Sequence, residues 1–422
     1  MVDQLARARM RYRDFKAAGL VLDMTRGKPS AQQLDLALPM LTVVDETHFR
    51  DKAGSDCRNY GHLEGLPEAR ALFADYLELT PDEVIVGGNA SLSLMYDAIV
   101  RAMFHGVPGG QRPWLKEEKV SFLCPCPGYD RHFGVCKDLG VHMIPVPMNT
   151  AGPDMETVQR LVAENPAIKG MWCVPRYSNP TGAVYAPEVV AALAGMKTAA
   201  PDFRLFWDDA YHEHHLTDRP RPLAHILDAC RAAGHAERAF IFGSTSKISF
   251  AGGGLCFMGA SKTNIDYVRK HLALKTIGYD KLNQLRHVRF FGNIEGLRAH
   301  MVKHRHILQP KFAVVDEVFT RELGGTGFAR WTRPEGGYFI SLDTRVGLAA
   351  SVVALAAEAG VKLTQAGATW PDGKDPAGSN IRIAPTMPEC ADVGKAMEIV
   401  SVCIQIASLE NVGAAEPELH YY

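Results

Sequence analysis

Between residues 81 and 258, short apolar runs alternate with longer stretches of helical pattern, and no other feature constrains the fold as much. The runs cover residues 84–86, 120–123, 141–144, 170–174, 204–207, 240–242 and 255–258. Strands that alternate with helical segments imply a mainly parallel sheet covered by helices on both faces. Four polar clusters follow such runs directly: residues 87–91, 176–182, 208–211 and 244–247. In open parallel sheets ligands bind beyond the carboxyl ends of the strands, so clusters converging on that edge predict one site.

Outside this region the pattern changes. Residues 5–16 read as a charged helical arm, and Arg26-Gly27-Lys28-Pro29-Ser30 is a break. A long helical stretch over residues 264–320 reads as a linker to a smaller α+β unit, and residues 413–422 read as a loose polar tail. The expected division is an arm with part of the small domain (1–40), a large α/β domain (41–295) and a small α+β domain (296–422).

Composition excludes several function classes. Among 422 residues, 47% are hydrophobic and 22% charged, as in an ordinary globular enzyme, and the net charge of −1 indicates neither nucleic acid nor an anionic membrane as partner. No apolar run is long enough to span a bilayer, and the first residues lack a signal-peptide core, so a cytoplasmic location is expected. Nine cysteines, an odd number scattered through apolar stretches, read as reduced thiols. Cys124 and Cys126 have no companion pair at zinc spacing, and no metal is expected.

Each cluster supports a chemical and a structural reading. Lys247 is either a surface lysine or an amine able to form a Schiff base in a pocket that lowers its pKa. Asp208, at the end of an apolar run, either caps a helix or meets a protonated ring nitrogen. Tyr211 and Asn179, the latter in an Asn-Pro-Thr-Gly turn, can donate to a phenolic oxygen on that ring. Residues 88–91 precede a helical run, where free amides attract a phosphate or Asn89 or Ser91 supplies an ordinary cap. Tyr129 either stacks on a planar ring or fills the core. Arg382 lies in an alternating strand pattern and needs an anion if it points inward. His212, His214 and His215 read as a polar loop rather than a metal site.

Taken in order, the residues resemble those of pyridoxal-phosphate aminotransferases of the aspartate aminotransferase fold. The resemblance rests on Gly27-Lys28-Pro29, Tyr60 ahead of residues 65–70, the 88–91 loop, Tyr129, Asn179-Pro180-Thr181-Gly182, Asp208-x-Ala210-Tyr211, Ser244-x-Ser246-Lys247, residues 334–339 and Arg382. Residues 25–36 and 245–252 further resemble the MocR-like bacterial aspartate aminotransferases, sometimes called type Ic. The resemblance implies fold type I: a three-layer α/β/α arrangement with a mainly parallel seven-stranded sheet and a smaller α+β domain. It implies ping-pong transfer of an amino group between L-aspartate and 2-oxoglutarate, with pyridoxal 5′-phosphate as cofactor and a homodimer whose active sites lie at the subunit interface.

The implied roles follow residue by residue. Lys247 carries the cofactor and moves the proton, Asp208 pairs with the ring nitrogen, and Asn179 and Tyr211 bond the phenolic oxygen. Tyr129 stacks on the ring. Asn89, Ala90, Ser91 and Ser244 hold the phosphate, Ser246 joins the cofactor-binding set, and Tyr60 reaches the partner's phosphate. Arg382 clamps the substrate α-carboxylate beside Gly27 and Asn179, and Arg131, or else Arg26, reads the distal carboxylate. Many relatives place a phosphate-binding arginine seven or eight residues after the lysine; here those positions are Gly254 and Leu255, and Lys281 from the partner chain is the expected replacement. An aminotransferase acting on kynurenine, alanine or aromatic donors is the alternative. A MocR-like regulator would need a DNA-binding module, and the residues ahead of the Gly/Pro break hold no helix-turn-helix.

Overall fold

The computed structural model describes residues 2–417; Met1 and the last five residues of the tail, 418–422, lie outside the described part. In chain order the strands are Leu22–Asp23 (β1), Val84–Val86 (β2), Ser121–Cys126 (β3), His142–Asn149 (β4), Gly152–Pro153 (β5), Ile168–Cys173 (β6), Arg204–Asp208 (β7), Ala239–Ser244 (β8), Cys256–Ala260 (β9), Ala329–Trp331 (β10), Ile340–Thr344 (β11), Val361–Lys362 (β12) and Asn380–Ile383 (β13).

The seven apolar runs become the central sheet, ordered β2-β9-β8-β7-β6-β3-β4-β5. An eighth, two-residue strand, β5, closes a hairpin on β4, with Gly152 at φ 132°; a Gly-Pro pair gives no apolar run to announce it. Only β9 among the seven long strands runs against its neighbours, pairing antiparallel with both β2 and β8. The carboxyl ends of β2, β3, β6, β7 and β8 therefore lie along one edge.

Strands β3, β6, β7 and β8 are buried throughout, because alternate side chains enter cores on opposite faces. Leu123, Met171, Cys173, Leu205, Trp207 and Ile241 enter one core. Phe122, Trp172, Phe206, Phe240 and Phe242 enter the other. Each such side chain stabilises the layer by roughly 1.5–3 kcal/mol relative to exposure, which holds the strand ends in place.

The helical stretch after the sheet is three helices, Lys262–Lys275, Lys281–Phe291 and Ile294–Leu323, rather than one linker. It breaks at Gly278 and Gly292, whose φ values of 145° and 72° suit glycine. The last helix, 30 residues long, runs into the second unit, where β11 pairs antiparallel with β10 and β13. Parallel pairing of β1 with β12 docks the N-terminal arm on that unit, and Ala8 of the arm helix packs on Val402 and Ile406. The tail is tied down as far as Ala415, whose carbonyl accepts from Val346 N at 3.0 Å, where a loose segment is expected from composition.

Candidate active site

Three of the four strand-end clusters, through Asn179, Tyr211 and Lys247, join Tyr129, Asp130 and Arg131 beyond β3, the arm and β13 around a cavity of about 560 Å³. Lys247 follows β8 in a turn that is held from below. Thr245 Oγ1 accepts from Leu255 N at 2.8 Å, and the hydroxyls of Thr245 and Ser249 lie 3.0 and 2.8 Å from His287 Nε2. His287 Nδ1 faces the Asn283 carbonyl at 2.8 Å, so Nδ1 carries the proton and Nε2 accepts both hydroxyls. Burial lowers the His287 pKa to about 4, which keeps the ring neutral in that role.

The Lys247 amine sits 5.2 Å from the Tyr211 ring centroid and 5.8 Å from that of Tyr338. Burial lowers its pKa while Asp208 raises it, the first effect being the larger. That balance moves the amine toward its neutral, nucleophilic form while keeping an anion close by.

Asp208 closes β7 and is 3% exposed. His132 Nε2 holds its Oδ2 at 3.0 Å, and the His132 ring stacks on Trp172 at 4.1 Å and 5°. The other oxygen, Oδ1, is buried with no hydrogen-bond partner. An unpartnered buried carboxylate oxygen is costly unless a ligand donor meets it. Tyr211 stacks against Tyr338 at 6.0 Å, and burial pushes its phenol well above the ordinary value. Burial and then Asp208 push the Tyr129 phenol up to about 12, so both tyrosines remain donors.

At the amino end of helix Ser91–His105, the cap residue Ala90 supplies no side-chain hydrogen bond and its carbonyl takes the Ser93 amide at 3.0 Å, which leaves the Ser91 and Leu92 amides for an anion. Ser91 and Ser244 are buried nearby in the fold, and Ser246 Oγ donates to the Asn89 carbonyl at 3.4 Å. The Asn89 side chain turns away and donates to the Gly252 carbonyl at 3.0 Å, so only its backbone is left for a phosphate. The glycine run has its own cause: a Cβ on Gly254 would lie 3.1 Å from Ser246 N and from the Phe250 carbonyl, so an arginine there would displace the lysine turn. Together the unpartnered Asp208 oxygen, the uncapped helix and the desolvated lysine fit pyridoxal phosphate.

Arg382 on β13 is 7% exposed, points inward and lies over the Phe339 ring at 4.9 Å. Its Nη1 reaches Asp130 Oδ1 at 2.8 Å and Asn179 Oδ1 at 3.5 Å. Gly27 is close-packed on that ring, since a Cβ there would fall 2.6 Å from Phe339 Cζ. Arg26 and Arg131 are both exposed on the cavity rim, joined by Lys28 and Lys362.

Lys281 and Tyr60 both stand apart from this chain's own cavity. Lys281 is 6% exposed and donates to the Gly61 carbonyl of its own chain at 3.1 Å, a bond it must give up or share to serve a phosphate. Tyr60, the neighbour of Gly61, stands 78% exposed, outside this chain's cavity. The histidines after Tyr211 are not a solvated loop: His212 pairs with Asp209 at 2.7 Å, and buried His214 lies 3.3 Å from the Lys247 carbonyl. Sequence reasoning also passed over His132, although its place three residues after Tyr129 puts both on one helical turn. Lys28, Lys362 and Asp130 were passed over too.

The profile of the family described as aspartate amino-transferase matches residues 1–415. A Mycolicibacterium smegmatis protein named as an aminotransferase is 49% identical over 401 residues, covering 94% of each chain. The crystal structure of an aspartate transaminase from Corynebacterium glutamicum superposes with a TM-score of 0.94 at 43% identity, covering 96% of each chain. An α-aminoadipate aminotransferase from Thermus thermophilus, solved with N-(5′-phosphopyridoxyl)-L-leucine, shares the fold at a TM-score of 0.76 and 19% identity, covering 92% of this chain and 93% of that one.

Proposed function

The chain belongs to the aspartate aminotransferase family, and from that premise we propose that it moves an amino group between L-aspartate and 2-oxoglutarate, yielding oxaloacetate and L-glutamate. The observation that carries this choice is the charge of the cavity lining. Arg26, Lys28, Arg131, Lys247, Lys362 and Arg382 face it against one acidic residue, Asp130. A buried arginine with more cations at the rim suits a substrate bearing two carboxylates. The 43% identical aspartate transaminase of Corynebacterium glutamicum supports the same substrate.

Pyridoxal phosphate, when bound, supplies a ring able to delocalise the charge left at Cα after proton removal. In the proposed arrangement Asp208 Oδ1 accepts from the ring nitrogen and His132 fixes that carboxylate. Tyr211 and Asn179 donate to the phenolic oxygen, and Tyr129 covers one ring face. Ser91, Ser244 and Ser246, with the backbone amides of Asn89 and Ala90, hold the phosphate. Lys247 takes and returns the Cα proton, its amine kept beside that carbon by the turn that Thr245 and His287 hold. Arg382 orients the α-carboxylate, and Arg131 or Arg26 reads the distal one.

We also propose a homodimer of the MocR-like, type Ic kind. Tyr60, Leu274 and Ile277 are 78%, 87% and 66% exposed, and Gly278 packs against Gly61, so Tyr60 and Ile277 share one uncovered apolar patch. A second copy would cover it and bring Tyr60 to the partner's phosphate, with Lys281 beside it.

An absorption spectrum of the purified protein tests the reaction. A visible band that bleaches with L-aspartate and returns with 2-oxoglutarate is expected, with slower bleaching by alanine or kynurenine. A band indifferent to aspartate overturns the assignment.

A further inference from the structure

Arg382 is already engaged by a carboxylate from its own chain. Asp130 Oδ1 takes Nη1 at 2.8 Å, while the buried Nε has no hydrogen-bond partner. A guanidinium recognises a carboxylate best through two parallel N–H groups. Asp130 therefore satisfies only part of what Arg382 can offer. The aspartate side chain is 37% exposed, against 7% for the arginine, so it can swing into solvent without unpacking anything. It occupies the first residue of helix Asp130–Asp138, where the free amides favour a negative charge even after it leaves the arginine. The remaining charged groups of the lining are all cationic.

We propose that Asp130 is a tethered stand-in for the substrate's α-carboxylate, which must be displaced from Arg382 before substrate binds and so sets the affinity of this site for carboxylates. The proposal rests on Arg382 being the α-carboxylate clamp. In the resting protein Asp130 keeps a buried arginine from lying wholly uncompensated, and on displacement the incoming carboxylate takes the Nη1–Nη2 end of the guanidinium through two N–H groups where Asp130 took one. The exchange of one contact for two favours substrate, and the competition weakens its binding by the strength of the Asp130 contact. Because the competition occurs at Arg382, it weakens monocarboxylates and dicarboxylates by similar factors.

The test uses the holoenzyme at constant ionic strength and two unreactive anions, maleate and propionate, with binding read from the change in cofactor absorbance. Asp130→Asn keeps the shape and removes the charge, and Asp130→Ser removes it by another route. Both variants should bind both anions roughly three- to tenfold more tightly than wild type, the range expected for one partly exposed ion pair. Tightening confined to maleate would place the effect at the distal carboxylate and overturn the proposal. Arg382→Ala separates the two levels. If it loses both anions while the Asp130 variants bind no tighter than wild type, only the role of Asp130 falls; if it binds both as wild type does, the clamp itself falls.

Discussion

Replacing Asp208 with asparagine removes one charge from a site 3% exposed while preserving shape, so the effect on rate can be worked from the local contacts. His132 remains within reach of the oxygen that replaces Oδ2, and the side chain stays packed at the end of β7. What is lost is the carboxylate's interaction through Oδ1 with a positively charged ring nitrogen. A hydrogen bond to a charged group contributes about 1.5–3 kcal/mol, and each 1.36 kcal/mol is tenfold in rate. The first half-reaction with L-aspartate should therefore slow by roughly ten- to a hundredfold. Asp208 also holds up the pKa of Lys247, so its loss should let that pKa fall further. The assay is single-turnover absorbance at saturating cofactor across pH. A loss below about threefold, with cofactor fully bound, would refute the assignment of Oδ1 to the ring nitrogen.

Three further outcomes follow from particular contacts. Gly27→Ala places a Cβ 2.6 Å from the ring that supports Arg382; the KM for aspartate should rise about tenfold, with stability falling by roughly 1–3 kcal/mol in denaturant titration. Arg131→Ala should raise the KM for aspartate roughly tenfold and that for alanine far less; equal effects would shift the distal role to Arg26, Lys28 or Lys362. Burial holds His287 at about 4 and His304 at about 3, below the ordinary 6.5. Their neutral forms thus contribute stability that is complete above pH 6.5 and lost as pH falls toward the folded values, by about 2 kcal/mol each at pH 5. Denaturation midpoints from pH 7 to 5 should fall accordingly, with a shallower slope in His304→Gln; a flat wild-type profile would refute the burial argument.

The sheet and the candidate catalytic residues were legible for related reasons. A strand buried on both faces must be apolar throughout, and the residues just past it must turn, so Asp208 and the Lys247 turn announce themselves locally. β5 was invisible because two residues, one a proline, carry no periodicity. The breaks at Gly278 and Gly292 were masked because helical pattern continues on both sides of each. Lys281 illustrates what charge and position leave open: its chain folds the amine back onto the Gly61 carbonyl, a contact no local pattern announces.

The mainly parallel α/β sheet and the edge on which its polar clusters gather were readable from the sequence, and Lys247, Asp208, Tyr211, Asn179 and Arg382 stood out there as candidates. Those are properties of single segments, where burial and turn chemistry act over a few residues. Tertiary structure alone decided what meets them. His132 reaches Asp208 across 76 positions, and Asp130 reaches Arg382 across 252. Lys362 comes to the cavity only because β12 pairs with the arm strand β1. Such contacts depend on how two cores pack against each other, and no local preference encodes a partner so far along the chain.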